Sequence, residues 1–257
     1  LALGMDPEKS TFWVQHDVKE VLELYWILSN HTSMGLLERA HSYKDKTSRG
    51  IQANHGLFSY PVLMAADILL FDSNIVPVGK DQIQHVEMTR DIAISFNHAY
   101  KKDIFVLPTA KVDENVATVL GTDGAKMSKS YNNTIDMFTT SKERKKQVMK
   151  IVTDSKELDE PKEWENCNIY NISKLFMSTD ELKNLQKRYE TPGEGYGHFK
   201  LTLLEKIEEY FKPYEEKRAK LLENPKEVRD ILSFGASKAR KIASEKIREI
   251  RDIVGLI

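Results

Sequence analysis

A loop with two lysines flanking a serine is the strongest chemical feature of this 257-residue sequence. Lys126, Met127, Ser128, Lys129 and Ser130 follow a Gly-Thr-Asp-Gly stretch. A glycine-rich loop presents free backbone N–H groups, and two nearby ammonium groups can hold a polyphosphate. Such donors stabilise the charge that builds up as pyrophosphate leaves. Because any polar loop can contain two lysines, a plain solvated loop is the alternative for the two lysines taken alone.

A second candidate site follows a short apolar segment. Residues 74–78 predict a strand, which Gly79 ends, and Lys80, Asp81 and Gln82 precede an amphipathic helix. A glycine at a helix N-terminus lets a ligand approach the backbone closely, and Asp81 could accept a hydrogen bond from a ribose hydroxyl or an amine. The alternative is that Gly79 and Asp81 only turn the chain and cap the helix.

A third candidate is a single acid in an apolar helix. Residues 61–70 predict a mostly buried helix whose one charged residue is Asp67. A buried carboxylate needs a partner, so Asp67 either pairs with a nearby lysine or arginine or belongs to a ligand pocket. In a ligand pocket, Asp67 could accept a hydrogen bond from the N–H donor of an otherwise apolar ring. The residues that could pack against such a ring are Tyr60, Met64, Ile68, Val76 and Val78.

Together these segments resemble a known enzyme family. Lys-Met-Ser-Lys-Ser is the second signature of the class I aminoacyl-tRNA synthetases, and Gly-x-Asp-Gln at residues 79–82 is similar to a motif of the tyrosyl- and tryptophanyl-tRNA synthetases. Met-Ala-Ala-Asp-Ile at residues 64–68 resembles the bacterial tryptophanyl type. Other stretches agree, so the resemblance covers essentially the whole chain.

The resemblance implies a role for each site residue. Asp67 would select tryptophan, with Gln82 in the same binding set, and Lys46 would reach the ATP phosphates beside the catalytic Lys126 and Lys129. The alternative for Lys46 is a solvated charge in a polar stretch. The implied ATP-binding residues are Gly79, Lys80, Asp81, Ala117, Lys126, Met127, Ser128, Lys129 and Ser130. The chain departs from the family beside Ala117, because Val116 stands where the family usually has an arginine.

The implied fold is α/β: a Rossmann-like parallel-sheet catalytic domain, incomplete at the N-terminus, with an all-helical anticodon-binding domain. We expect the catalytic domain at residues 1–133, the anticodon-binding domain at 134–235 and a last helix, 236–257, that packs back toward the catalytic domain. Strand and helix signals alternate in the first part, whereas charged helical segments follow residue 134. Further strands are predicted at residues 10–15, 103–107 and 115–121. Separate helices are predicted at residues 225–232 and 236–253.

The resemblance also implies a reaction and its partners. We expect a tryptophan–tRNA ligase that uses ATP with Mg²⁺ and tRNA(Trp), and that forms a homodimer through the sheet domain. Class I synthetases carry an amino-terminal His-Ile-Gly-His type of motif that binds ATP phosphates, and residues 1–257 contain none. We expect that motif before Leu1, so these residues would lack half of the ATP site. The alternatives are a tyrosyl-tRNA synthetase and a non-catalytic RNA-binding remnant of the fold.

Composition restricts the remaining possibilities. The formal net charge is −1, so RNA contacts would come from local basic patches such as residues 142–150, for which a solvated helix face is the alternative. Cys167 is the one cysteine and cannot form an internal disulfide, which favours a cytoplasmic location. No apolar run reaches the length of about 18–20 residues that a membrane span needs. The seven histidines show no metal-ligand spacing, so no metal site is predicted.

Overall fold

The computed structural model describes residues 1–48, 50, 52–112 and 119–257, apart from the side chain of Ser42. The described chain forms two compact units. The first, here the sheet unit, contains the described residues from 5 to 112 together with residues 224–257. The second, here the helical unit, contains residues 1–4 and 119–223.

The sheet unit is built mainly from helices around two short strands. Its elements are α1 (Glu20–Ser29), α2 (Met34–Glu38), α3 (His41–Ser48), α4 (His55–Leu69), β1 (Ile75–Pro77), α5 (Ile83–Tyr100), β2 (Thr109–Lys111) and α10 (Pro225–Val254). The elements of the helical unit are α6 (Ser141–Met149), α7 (Asn168–Ser173), α8 (Thr179–Glu190) and α9 (Tyr196–Glu223).

Strands β1 and β2 are parallel, with Val76 opposite Ala110. The pairing continues past β1, because the backbone N–H of Val78 donates to the carbonyl of Lys111 at 3.0 Å. Helix α5 connects the two strands, which gives the β-α-β arrangement expected of an α/β fold. The carboxyl end of β1 therefore leads directly into the segment that contains Gly79 and Asp81.

One apolar core holds the sheet unit together. Helix α4 begins at a capping residue, Asn54, whose side chain accepts from the N–H of Leu57 at 2.8 Å. Val62, Ala65, Ala66 and Leu69 of this helix are buried in the core. Helices α1, α5 and α10 contribute to the same core. This packing fixes the side of α4 that remains available for other contacts.

The helical unit has a second core of its own. Its buried side chains come from α6 to α9 and include Val148, Tyr170, Leu185, Tyr189 and Phe199. Tyr189 stacks on Phe199 with ring centroids 4.0 Å apart. Helix α8 begins with a capping box in which Ser178 and Glu181 satisfy each other's backbone N–H groups. Each unit therefore has the apolar burial that a compact fold requires.

Several predicted elements differ from the observed ones. Residues 10–15 form no strand, because no described segment pairs with them, and the last of them, Gln15, begins a short 3-10 turn. Instead the backbone of Phe12 lies against Gly235 of α10. Residues 103–107 also form no strand, and the second strand begins at Thr109. Residues 115–118 of the last predicted strand lie outside the described residues.

The compact units divide the chain at other places than the predicted domains. Residues 126–130 lie in the helical unit, although they were expected in the domain of residues 1–133. The predicted helices at 225–232 and 236–253 are one continuous helix, α10, and all of it belongs to the sheet unit. The physical reason is packing: Ala236, Ala239, Ala243, Ile247 and Ile250 of α10 are buried, and the last four join the core formed by α1, α4 and α5.

Within the described residues, no helix combines the length and the apolar character that crossing a bilayer requires.

Candidate active site

One face of α4 presents the residues proposed to recognise an aromatic ligand. Tyr60, Met64 and Asp67 follow one another at i, i+4 and i+7, a spacing that places them on the same side of a helix. All three are half-buried, while Ile68 beside them is buried. A helix anchored by its opposite face in the core thus holds an acid, a thioether and an aromatic ring along one line.

The carboxylate of Asp67 has a partner from far away in the sequence. The side-chain N–H of Gln15 donates to Oδ2 of Asp67 at 2.5 Å, and no described residue makes a hydrogen bond to the other oxygen, Oδ1. No lysine or arginine among the described residues forms an ion pair with Asp67, so the purely structural ion pair is not observed there. Burial raises the pKa of Asp67, and the Gln15 amide opposes that rise. The arrangement leaves one carboxylate oxygen open to a donor such as an indole N–H.

Tyr60 connects α4 to two other elements. Its hydroxyl lies 2.6 Å from Nε2 of His85, a buried residue of α5. Burial lowers the pKa of His85, which favours the neutral ring. On the other side, Nζ of Lys46 lies 5.8 Å from the centroid of the Tyr60 ring. Helix α3 therefore brings Lys46, an exposed cation, next to the helix face that bears Asp67.

The segment after β1 is open and polar. Val76 and Val78 are half-buried, and Gly79 precedes a 3-10 turn at Lys80–Gln82 that leads into α5. The amide of Gln82 donates to Oδ2 of Asp81 at 3.2 Å. Asp81 does not cap α5, because no side chain accepts from the first N–H groups of that helix. The exposed Asp81 carboxylate is therefore available to a ligand.

In the helical unit, the two lysines lie on a tight hairpin. Met127 donates to the carbonyl of Val119 at 2.8 Å, and Gly121 donates to the carbonyl of Ala125 at 2.7 Å. Gly124 closes the turn with a φ of +82°, a conformation that favours glycine. The chain then enters a 3-10 turn at Lys129–Tyr131, where the hydroxyl of Ser128 accepts from the N–H of Ser130 at 3.3 Å.

Both lysine side chains of this hairpin face solvent. Lys126 and Lys129 are exposed, and neither forms an ion pair with any residue that the structure describes. Met127 and Ser128 between them are half-buried. The hairpin can thus present two cations to an anionic ligand without first breaking an ion pair.

Two contributors to these sites were not predicted from the sequence. Gln15 binds Asp67 across 52 positions, and Asn133 lies beneath the hairpin. Asn133 belongs to no predicted motif, although it lies three positions after the motif at residues 126–130. Ala117, predicted to contact ATP, lies outside the described residues. Within the described ranges, no three histidine, cysteine, aspartate or glutamate side chains group closely enough to hold a metal ion.

Comparison with known proteins identifies relatives over the full length of the chain. The tryptophan–tRNA ligase of Campylobacter jejuni strain RM1221 is 63% identical over 256 residues, which cover all of this chain and 80% of the relative. That of Fusobacterium nucleatum is 55% identical over 257 residues and is covered to 79%. A crystal structure of the Campylobacter jejuni tryptophanyl-tRNA synthetase complexed with ADP and tryptophan matches 99% of this chain with a TM-score of 0.96; the match is 63% identical and covers 79% of that chain.

A family model gives the same assignment. The model for class I tRNA synthetases of the tryptophan and tyrosine type matches residues 1–212, which is more than half of the chain. The match includes α4, the segment after β1 and the hairpin with both lysines. The chain therefore belongs to the class I tRNA synthetases specific for tryptophan and tyrosine, and it has their α/β fold with a parallel sheet.

Proposed function

We propose that this protein is a tryptophan–tRNA ligase, which activates L-tryptophan with ATP and transfers it to tRNA(Trp). The observation that carries the proposal is the 63% identity, over the whole chain, to tryptophan–tRNA ligases. The half-buried Asp67 and the two exposed lysines supply the chemistry that such a reaction needs. The tyrosyl enzyme and the non-catalytic remnant are not favoured by these relatives.

Tryptophan is recognised on the face of α4. Oδ1 of Asp67 accepts a hydrogen bond from the indole N–H, while Gln15 donates to Oδ2 and orients the carboxylate. The ring packs among Tyr60, Met64 and Ile68, with Val76 and Val78 from the end of β1. Gln82, just beyond them, binds the polar end of the amino acid.

ATP binds as its Mg²⁺ complex. In the sheet unit, Gly79, Lys80 and Asp81 bind the nucleotide through the backbone and a carboxylate, and Lys46 reaches its phosphates. In the helical unit, the hairpin of residues 126–130 holds the pyrophosphate portion through Lys126 and Lys129. Two ammonium groups at that place stabilise a leaving group whose negative charge is greatest near the transition state.

The reaction needs no nucleophile from the protein. The carboxylate of tryptophan attacks the α-phosphorus of ATP, the bond to the β-phosphate oxygen breaks, and pyrophosphate leaves with the electron pair. The resulting tryptophanyl-adenylate then transfers its acyl group to a hydroxyl of the terminal ribose of the tRNA, and AMP leaves. Catalysis therefore consists of orientation and charge stabilisation, which the rigid face of α4 and the lysine hairpin provide.

We further propose which segments contact the tRNA and how the protein assembles. Residues 134–235 bind the anticodon, residues 142–150 on and next to α6 offer a basic surface for RNA, and residues 236–257 belong with the catalytic domain. The working form is a homodimer associated through the sheet unit. The protein works in the cytoplasm, since its single cysteine is suited to a reducing compartment.

Amino-acid-dependent exchange of pyrophosphate into ATP tests the function. We expect the full-length enzyme to exchange pyrophosphate with tryptophan and to do so far more slowly with tyrosine at equal concentration. Exchange that depends on tyrosine instead would identify the tyrosyl enzyme. A folded protein that exchanges with neither amino acid but still binds tRNA would identify the non-catalytic remnant.

A further inference from the structure

Asn133 is a buried polar residue directly beneath the lysine hairpin. Only 2% of its surface is exposed, although it lies in a loop. It follows the last residue of the motif at 126–130 by three positions. A buried amide must have its hydrogen bonds satisfied, so its contacts show what the position is used for.

The side chain of Asn133 connects both sides of the hairpin. Its amide N–H donates to Oδ1 of Asp123 at 2.8 Å and to the carbonyl of Lys126 at 3.1 Å. Its amide oxygen accepts from the backbone N–H of Ser128 at 2.7 Å. Its own backbone carbonyl accepts from Thr122 at 2.9 Å. One residue thus holds the backbone immediately before and after Met127, and with it the positions from which both lysines extend.

The neighbouring backbone is shaped to admit this side chain. A Cβ atom added to Gly121 would lie 2.3 Å from Nδ2 of Asn133 and 2.4 Å from its Cγ, far inside van der Waals contact. Gly121 is itself held in place, because its carbonyl accepts from the side chain of Asn168 at 2.8 Å. The glycine is therefore needed for space, and the space is filled by the Asn133 amide.

Asp123 completes the network from the solvent side. Oδ1 of Asp123 accepts from Asn133 and also from the backbone N–H of Ala125 at 3.0 Å. These hydrogen bonds, that from Asn133 first, lower the pKa of Asp123, so that the carboxylate stays charged. A charged acceptor makes the bond to Asn133 stronger than one between two neutral groups.

We propose that Asn133 is a positioning residue for the activation step: it fixes the hairpin so that Lys126 and Lys129 present their ammonium groups to the departing pyrophosphate. The inference rests on the proposed function. Misplacing a catalytic group by about 1 Å costs roughly a hundredfold in rate, so a residue that sets the backbone at both lysines acts on kcat rather than on tryptophan binding.

The first test variant places a second negative charge at the Asn133–Asp123 contact. Asn133→Asp keeps the shape and the bond to Ser128 but places a second carboxylate against Asp123 and the carbonyl of Lys126. We expect kcat for tryptophan-dependent pyrophosphate exchange to fall about tenfold or more, since a hydrogen bond to an ion is worth at least that factor. The KM for tryptophan should remain within about twofold of the wild-type value.

Two further variants separate positioning from folding. Adding Asp123→Asn to Asn133→Asp restores a donor–acceptor pair with the charge on the other partner, and we expect it to recover a measurable part of the lost kcat. Asn132→Asp is the matched control, because Asn132 is exposed and its side chain makes no hydrogen bond to a described residue. We expect it to behave like the wild-type enzyme. Hydrogen exchange at Ser128 and Thr122 reports whether the hairpin loosens in each variant.

The outcomes separate this inference from the proposed function. A wild-type enzyme without tryptophan-dependent exchange would overturn the function. With an active wild type, an unchanged kcat in Asn133→Asp would overturn the role of Asn133, as would a rise in KM alone. If Asn133→Asp does not fold, the charge-exchanged double variant carries the test, and a folded double variant without recovered activity contradicts positioning. A double variant that also fails to fold would show that Asn133 serves stability alone.

Discussion

Lys126 and Lys129 are exposed cations that have no ion-pair partner among the described residues. A surface lysine is more often paired weakly or simply solvated, and neither condition indicates a function. The distinguishing feature here is the backbone beneath them, which is held by the hairpin hydrogen bonds and by Asn133. Rigid presentation of flexible cations is the arrangement expected where charge develops during a reaction.

Replacing either lysine by alanine therefore tests the proposed role of the hairpin. We expect Lys126→Ala and Lys129→Ala each to lower kcat for tryptophanyl-adenylate formation by about a hundredfold, the usual effect of removing one charge-stabilising donor. Tryptophan affinity should change much less, because the amino acid does not carry the developing pyrophosphate charge. Single-turnover kinetics with equilibrium tryptophan binding measure both quantities. An unchanged kcat with an altered KM alone in both variants would contradict the assignment.

Asp67 is predicted to set the choice of amino acid. Asp67→Ala removes the acceptor for the indole N–H, and we expect the ratio of kcat/KM for tryptophan over phenylalanine to fall about tenfold to a hundredfold. That range corresponds to the roughly 1.5–3 kcal/mol of a hydrogen bond to a charged group. Asp67→Asn retains a neutral acceptor, so it should lose less selectivity than alanine. A ratio that stays constant across wild type and both variants would show that Asp67 is a structural acid.

The sequence supports some of these residues better than others. Asp67 was predictable, because a lone acid in an apolar helical pattern is unusual and requires a partner. The lysines were predictable from a compact motif. Gln15 and Asn133 were not, since each acts through contacts that follow from folding: Gln15 reaches Asp67 over 52 positions, and the Asn133 amide fits only because Gly121 leaves room.

At the scale of elements, helices were easier to predict than strands. The periodic pattern after Gly79 predicts an apolar face with Ile83, Val86, Ala93 and Phe96; in α5 the last three are buried, whereas Ile83 at the first turn is 37% exposed. A strand, in contrast, exists only when a neighbour completes its hydrogen bonds, which single-segment composition does not report. Residues 10–15 have the composition of a strand but no described pairing partner. In α1, Val21 is buried in the core, yet the apolar side chain of Trp26 is 68% exposed.

Helix α10 contains a close contact that its sequence alone does not reveal. Gly235 is buried in the middle of this helix, where glycine normally weakens helical structure. A Cβ at this position would lie 1.9 Å from the carbonyl oxygen of Phe12 and 2.7 Å from its carbonyl carbon. Because the obstruction is backbone, it cannot be relieved by rotating a side chain. The glycine thus allows the segment at residues 10–15 to lie directly on the helix.

Gly235→Ala should therefore destabilise the sheet unit. Overpacking costs about 1–3 kcal/mol, which outweighs the gain of about 1 kcal/mol in helix propensity. The matched control is Gly197→Ala in α9, where an added Cβ would meet no atom within 4 Å. We expect the control to be neutral or slightly stabilising. Urea unfolding measures the stability of both variants. If the unfolding midpoint rises equally in Gly235→Ala and Gly197→Ala, the backbone at Phe12 accommodates the added Cβ without cost and the prediction is wrong.

At the scale of the whole molecule, the division into units follows contacts that lie far apart in the sequence. Composition changes near residue 134, and this change suggested the domain boundary. The compact units depend instead on which segments share a core, and α10 shares one with α1 after an excursion of some two hundred residues. Arg251 of α10 donates to both carboxylate oxygens of Glu23 in α1, at 2.7 and 2.6 Å. Pairings of this kind leave no local pattern in the sequence.

Each unit contains a carboxylate that the fold keeps charged. In the sheet unit, the Arg251 guanidinium lowers the pKa of Glu23. In the helical unit, hydrogen bonds from Lys206 and Ser178 lower the pKa of Glu181 from 4.5 to about 2. Because a folded-state pKa below the unfolded one favours the native state, the contribution of Glu181 is fully present above about pH 4.5. It is lost progressively as the pH falls from 4.5 toward 2.

Acid should therefore destabilise the helical unit through Glu181, and a neutral side chain should remove that part of the pH dependence. We expect Glu181→Gln to be less stable than wild type near pH 6 and to approach it near pH 2. Glutamine can still complete the capping box with Ser178, so the change isolates the charge. Glu216→Gln in α9 is the control, because Glu216 is exposed and pairs with no described residue. Hydrogen exchange of amides in α8 and α9 between pH 2 and 6 measures the stability of the helical unit by itself. If that stability falls equally with acid in wild type and in Glu181→Gln, the titration of Glu181 does not contribute to it.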